Sequence, residues 1–252
     1  MSNVPDAPQQ WYSRYSRHFL LENFDETHQQ RLQQSHLTVI GMGGLGTTAA
    51  QHLAASGAGT LSLVDADTVC ISNLPRQLLY SEADIGRPKV FAAREHLQAN
   101  NPGCIIETHV GQASSCELPG LCGQTDAILD CTDNIQTRLA LSRYARSAGL
   151  PLFSAAAAGY SAQVIAFNPA PGHCCYGCLY GLNAIAPQHC LSHGVLGPVV
   201  ASAALFQALQ VLYFVTRLAP VSWGSLYRFD ARTLQWLNHQ LPVNLHCEVC
   251  QS

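Results

Sequence analysis

The chain has 252 residues, the length of one large domain or two small ones, and 48% of them are apolar against 12% charged. That supply of buriable side chains excludes a disordered chain. With 13 basic and 16 acidic side chains the net charge is -3, which leaves no basic surplus for a nucleic-acid backbone.

In chain order, residues 1–10 carry neither a basic stretch nor an apolar run after it, so no secretory leader is read there. The 11 cysteines, an odd number, then speak for free thiols in a reducing cytoplasm rather than for a closed disulfide framework. Arg14 to Ser35 is polar and helix-like, with a small apolar group at Phe19, Leu20, Leu21 and Phe24. A strand is expected at Leu37–Gly41, a helix at Gly44–Ser56, a strand at Leu61–Asp65, a helix at Pro88–Asn100 and a strand at Cys104–Val110. A buried strand at Ala127–Asp130 and a helix at about Ile135–Ala148 follow. This alternation predicts an α/β fold with a doubly wound, mostly parallel sheet, Rossmann-like in its first half. From Leu152 the pattern changes: Gln163–Asn168 and Leu226–Leu237 read as longer, partly antiparallel strands, with an apolar helix at Pro198–Leu218 between them. Val195–Thr216 has the hydropathy of a membrane span but contains Pro198, Gln207 and Gln210, so a buried helix is expected and no membrane partner. No linker composition marks the change, so one domain over 1–252 is expected. Its parts are an N-terminal helical segment (1–36), a nucleotide-binding half (37–150) and a second half (151–252).

Gly41-Met-Gly43-Gly44-Leu-Gly46 leaves a predicted strand and opens a predicted helix. In that setting the glycines let backbone approach a phosphate, and the helix N-terminus attracts its charge. Asp65 ends the next strand, 19 residues past Gly46, where an acid binds ribose hydroxyls. The loop alone does not choose between NAD and ATP. The residues after it favour ATP: Asp67, then Asn73-Leu-Pro-Arg76-Gln77, then Arg87-Pro-Lys89. A triphosphate needs fixed cations and usually Mg²⁺. Arg76 and Lys89 supply cations, and Lys89 is the one lysine in a chain that otherwise uses arginine. Asp130 and Asp133, at the end of a core strand, are metal positions, with Asp133 preferred for Mg²⁺; Asp133-Asn134 also suits a helix N-cap.

Cys175-Tyr-Gly-Cys178 and Cys247-Glu-Val-Cys250 are two knuckles of the spacing used by four-thiolate structural zinc. A thioredoxin-like redox pair would open a helix within a βαβ unit, which neither is expected to do. Cys174 competes as a ligand but lacks the spacing to Cys178. Cys190, flanked by His189 and His193 in a polar loop, is a candidate reactive thiol.

Taken together, Arg14-Tyr-Ser-Arg17, the glycine loop, Asp65-x-Asp67, Asn73-Leu-x-Arg76-Gln77, Arg87-Pro-Lys89, Asp130-Cys-Thr-Asp133-Asn134 and the two knuckles resemble the ThiF/MoeB/HesA family, relatives of ubiquitin-activating enzymes. The resemblance runs from Arg14 to Cys250. It implies an adenylyltransferase that uses Mg·ATP to activate the C-terminal glycine of a ubiquitin-like sulfur carrier. Gly44 and its loop, Arg76 and Lys89 would bind phosphates, Asp65 the ribose, and Asp133 the magnesium. Asn73 and Gln77 would be further polar residues of the nucleotide site. Arg17 would reach into a partner subunit's nucleotide site, which implies a homodimer. Cys190-Leu-Ser-His-Gly-Val-Leu-Gly-Pro-Val-Val200 and Asp230–Trp236 resemble the ThiF branch, which acts on ThiS, more than the MoeB branch, which acts on MoaD. In that branch a cysteine matching Cys190 can join the carrier covalently, and a sulfurtransferase or cysteine desulfurase would be a further partner. Pro75 departs from the family's usual Gln, and Tyr180-Gly181 from its Trp-Pro. The competing readings are an NAD-dependent oxidoreductase and a zinc-containing module that docks a carrier without activating it.

Overall fold

A computed structural model describes residues 7–114, 116–181 and 194–250. The β-branched and leucine-rich run His36–Ile40 forms β1 at the centre of the sheet. On one side β1 pairs in parallel with β2 (Thr60–Asp65), which pairs with β3 (Ile105–Val110). On its other side lie β4 (Ala127–Asp130) and β5 (Leu152–Ala158), also parallel. The sheet then turns antiparallel through β6 (Ser161–Phe167), β7 (Ser225–Asp230) and β8 (Gln235–Gln240), giving the order β3-β2-β1-β4-β5-β6-β7-β8. The expected mostly parallel sheet with an antiparallel extension is thus present.

Side chains alternate along each strand, so the sheet has two cores. Leu37, Val39, Leu61, Leu63, Leu129 and Phe153 face α3 (Gly44–Ser56), α4 (Lys89–Asn100) and α8 (Gly197–Thr216). Ile40, Val64, Ile128, Leu152 and Ile165 face α5 (Leu118–Cys122), α6 (Ile135–Ser147) and α7 (Tyr176–Gly181). Cover on both faces explains the near-continuous apolar runs of the central strands.

Two expectations need correction in detail, and a third, the buried apolar helix, holds. The polar N-terminal stretch is two helices, α1 (Ala7–Tyr15) and α2 (Glu26–Gln34), the second capped by Asp25, whose side chain accepts from the His28 amide. The strand expected over Leu226–Leu237 is a hairpin: Leu234 takes a left-handed φ of 57° at the turn, which a continuous strand does not allow. The apolar helix, although long enough to cross a membrane, lies against α3, β5 and β6, and its Val199, Ala203, Ala204, Gln207 and Val211 are buried there.

Candidate functional site

Going from β1 the chain winds outward to β2 and β3, then returns to place β4 on β1's other side. The crevice at the C-terminal ends of β1 and β4 is therefore the topological switch point of the sheet, where open α/β folds bind ligands. The glycine loop lies at this point. Gly41 has φ of 94°, and a Cβ on Gly46 would sit 1.8 Å from the Gly41 carbonyl oxygen, so the turn into α3 closes only around glycine. A Cβ on Gly44 would lie 2.7 Å from the Arg76 carbonyl, which shows how tightly the Asn73–Gln77 segment is pressed on the loop. Gly43 is the N-cap of α3 and offers no side-chain cap, which leaves the first amides of that helix open.

Asp65 binds this loop directly. Its Oδ2 accepts from the Met42 amide at 2.6 Å and its Oδ1 from the Asp67 amide at 2.7 Å. Burial pushes its carboxyl above the usual range, against the pull of the Lys89 ammonium and these two amides. Lys89 is the first residue of α4 and only 5% exposed. Its Nζ lies 2.8 Å from Oδ2 of Asp67, whose own side chain is 70% exposed. Tyr80 stands beneath, its hydroxyl 3.0 Å from the Met42 carbonyl and 3.2 Å from the Lys89 carbonyl. Arg76 is half-buried and donates from Nη1 to the Ser72 carbonyl at 3.0 Å. The Asn73 carbonyl accepts from the Arg76 and Gln77 amides, so Pro75, which has no amide hydrogen, leaves no donor stranded. Gln77 is 2% exposed, and its Oε1 has no hydrogen-bond partner; its Nε2 end lies beside Gly43. A buried, unpaired amide oxygen at a glycine loop fits a site completed by a polar ligand.

The two aspartates after β4 separate sharply. Asp130 is fully buried and spent on structure: Oδ2 accepts from Ser154 Oγ at 2.6 Å, and Oδ1 from the Thr132 amide and hydroxyl at 3.1 and 2.7 Å. Arg138 Nη1 stands 3.9 Å from Asp130 Oδ2. Gln207 Nε2 donates to the Asp130 and Phe153 carbonyls. Asp130 is thereby removed as a metal position, because its oxygens already serve this network. Asp133 is exposed. Asn134, not Asp133, is the N-cap of α6, accepting from the Thr137 amide at 2.8 Å, so Asp133 remains uncommitted at the crevice. Arg138, Ser154 and Gln207 were missed from the sequence. The signal available was a lone arginine on the inward face of the helix after an Asp-Cys-Thr-Asp strand end.

The two knuckles meet in the second core beside α6, and Cys175, contrary to expectation, directly precedes a helix, α7. Cys175, Cys178, Cys247 and Cys250 have their Sγ atoms within 4.8 Å of one another. The separations are 3.9 Å for Cys175–Cys178 and 3.5 Å for Cys175–Cys247 and Cys178–Cys250. A tetrahedral zinc with bonds of about 2.3 Å has sulfur–sulfur edges of about 3.8 Å. The donor set fits. Cys174 lies outside this group, with its Sγ against Gly224, and burial pushes its thiol up to about 11. Burial likewise raises Cys104 to about 12 and Cys122 to about 11, as expected of inert packing thiols. Cys190, with His189 and His193, lies outside the described residues. Arg17 is exposed in the turn after α1.

Residues 15–249 match the ThiF family model. The chain belongs to the ThiF family. Among its relatives, Escherichia coli molybdopterin-synthase adenylyltransferase is 37% identical over 240 residues, covering 94% of this chain and 95% of that one. Escherichia coli sulfur carrier protein ThiS adenylyltransferase is 36% identical over 239 residues, covering 95% of each. The adenylyltransferase and sulfurtransferase MOCS3 of Drosophila grimshawi is 35% identical, and this ThiF-family chain spans 54% of its length. Among solved structures, E. coli MccB with ATP superposes with a TM-score of 0.82 at 21% identity, covering 98% of this chain and 82% of that one, a likeness of fold.

Proposed function

We propose that this ThiF-family chain is an adenylyltransferase that activates the C-terminal carboxylate of a ubiquitin-like sulfur carrier with ATP. The observation that carries it is the crevice at β1 and β4. A glycine-rich loop, an uncapped helix N-terminus, a buried lysine and an uncommitted aspartate stand at the C-terminal edge of the parallel strands. The family membership and the names of full-length relatives support the same chemistry.

The roles follow from charge. Phosphates lie on the amides of Gly43, Gly44 and Gly46, beside the Nε2 donor of Gln77, whose Oε1 is left to accept from a donor elsewhere on the ligand. Asp65 keeps free lone pairs for ribose hydroxyls, alongside Asn73. Lys89 exchanges Asp67 for a phosphate oxygen, and Arg76 swings from the Ser72 carbonyl to a second one. Asp133 would hold magnesium, which would neutralise charge building on the leaving phosphates. The carrier's carboxylate is already ionised at neutral pH, so no general base is required. Its oxygen attacks the α-phosphorus in line, the bond to the bridging oxygen breaks, and pyrophosphate departs with that electron pair. A nicotinamide reading leaves Lys89, Arg76 and Asp133 without work.

For the carrier we take ThiS, on the ThiF-like residues Cys190–Val200 and Asp230–Trp236, with MoaD as the alternative; relatives carry names from both pathways. Zinc in the Cys175–Cys250 cluster is structural, since four protein thiolates leave no open position. The chain acts as a cytoplasmic homodimer, Arg17 of each copy serving the other's crevice, and Cys190 forms the covalent link to the carrier. ATP–pyrophosphate exchange with recombinant ThiS and MoaD in parallel tests the reading. Exchange dependent on one carrier is expected. ATP binding without exchange for either carrier overturns the carrier assignment.

A further inference from the structure

The buried Arg138 guanidinium joins two places that the proposed chemistry treats separately. On one side its Nη2 donates to the Thr132 carbonyl and, at 2.9 Å, to the Ala155 carbonyl, and it faces Asp130, whose Oδ1 holds the other side of Thr132. The peptide after Thr132 leads directly to Asp133. On its other side the same guanidinium lies over the Tyr176 ring, 5.7 Å from the centroid. Tyr176 sits inside the knuckle between Cys175 and Cys178, is 2% exposed, and its amide donates to Ser142 Oγ on α6 at 3.1 Å. A cysteine cage that fixes the Tyr176 backbone also fixes the surface on which Arg138 rests.

We infer that Arg138 and Tyr176 are positioning residues that couple zinc occupancy of the cysteine cluster to the placement of Asp133 at the crevice. The inference rests on the Mg·ATP reading of that crevice. The guanidinium has five donors in a fixed plane, so a tilt of the ring beneath it is passed to the two carbonyls it holds. With zinc released, Tyr176 loses its fixed backbone and Arg138 its platform. The Cys131–Asp133 turn then samples orientations in which Asp133 points away from the phosphates. Coupling between two ligands is reciprocal, so Mg·ATP must also tighten zinc.

The test is equilibrium zinc occupancy against a graded chelator in the full chain, with and without saturating Mg·ATP. Wild type is expected to hold zinc about tenfold more tightly with nucleotide. Tyr176→Leu, confirmed to bind both zinc and Mg·ATP, should lose that difference, and amide hydrogen exchange at residues 131–134 should quicken while zinc stays bound. Tyr176→Phe keeps the ring and should keep most of the coupling, which preserves the test if the leucine variant loses its metal. Equal zinc affinity with and without nucleotide in wild type overturns the inference, as does full coupling in Tyr176→Leu, because general stabilisation of the fold would then explain it. Failure of wild type to bind Mg·ATP at all would instead strike the nucleotide reading.

Discussion

At the scale of single residues, the crevice depends on a few charges kept poised rather than satisfied. Lys89 is buried with one exposed carboxylate as its partner, and Asp133 has no capping duty. Lys89→Ala and Asp133→Ala are each expected to cut pyrophosphate exchange about 10²–10³-fold, the usual cost of one preorganised charge at a reacting phosphate. Their circular dichroism and zinc content should remain those of wild type; an unaltered exchange rate would remove either residue from the nucleotide site. Asp84 has a structural role at the entry to Lys89. It is buried, accepts from the Ser81 amide and hydroxyl and faces His96 Nε2 and Arg87 Nη1. Burial raises its carboxyl, but these hydrogen bonds win and hold it down to about 2. A depressed acid stabilises the fold above its unfolded value near 4, and the contribution fades as pH falls toward 2. Asp84→Ala is therefore expected to cost about 2 kcal/mol at neutral pH, with chemical denaturation curves of variant and wild type converging between about pH 4 and 2. A gap that stays constant through that range would assign the loss to packing.

Among the elements, the helix α3 and its loop form one unit. Gly46→Ala should destabilise the fold by roughly 2 kcal/mol or more and abolish nucleotide binding, since the new methyl meets the Gly41 carbonyl oxygen rather than a side chain that can swing aside. Calorimetric ATP titration with a thermal melt reads both effects. Cys247→Ser should release zinc and lower the melting temperature, checked by metal analysis; unchanged stoichiometry would refute the pairing. How far the sequence disclosed these units follows from the range of their interactions. The glycine loop, Asp65 and both knuckles are local patterns of a few residues whose spacing states their chemistry. The network around Asp130 is not local. Gln207 lies 77 positions from the carbonyl it serves, and Ser154 belongs to a strand that no hydrophobic period separated from its surroundings. The hairpin of β7 and β8 was hidden for a different reason. Trp236 on β8 packs on Phe206 and Phe229, and residues 230–235 contain neither glycine nor proline to mark the turn between the strands.

For the whole molecule, the sheet carries the crevice at the C-terminal ends of its parallel strands and the cysteine cage on the face covered by α6 and α7. Arg17 stands exposed and away from both. If each copy lends Arg17 to the other's crevice, Arg17→Ala and Lys89→Ala proteins, each inactive alone, should regain exchange when unfolded together and refolded. A mixed dimer then contains one complete site, and about a quarter of wild-type activity per chain is the statistical expectation for freely exchanging subunits. No recovery after refolding together would leave Arg17 serving its own chain.

The burial of Lys89 has a consequence for the chain's chemical safety. An acyl adenylate is a mixed carboxylic–phosphoric anhydride, and side-chain amines are nucleophiles it would consume. This chain's one side-chain amine is shut in the crevice and held by Asp67, while its arginines stay protonated and do not react. No lysine on the surface is thus open to acylation by the product, and an amine-reactive reagent that marks Lys89 would report the moment the crevice opens.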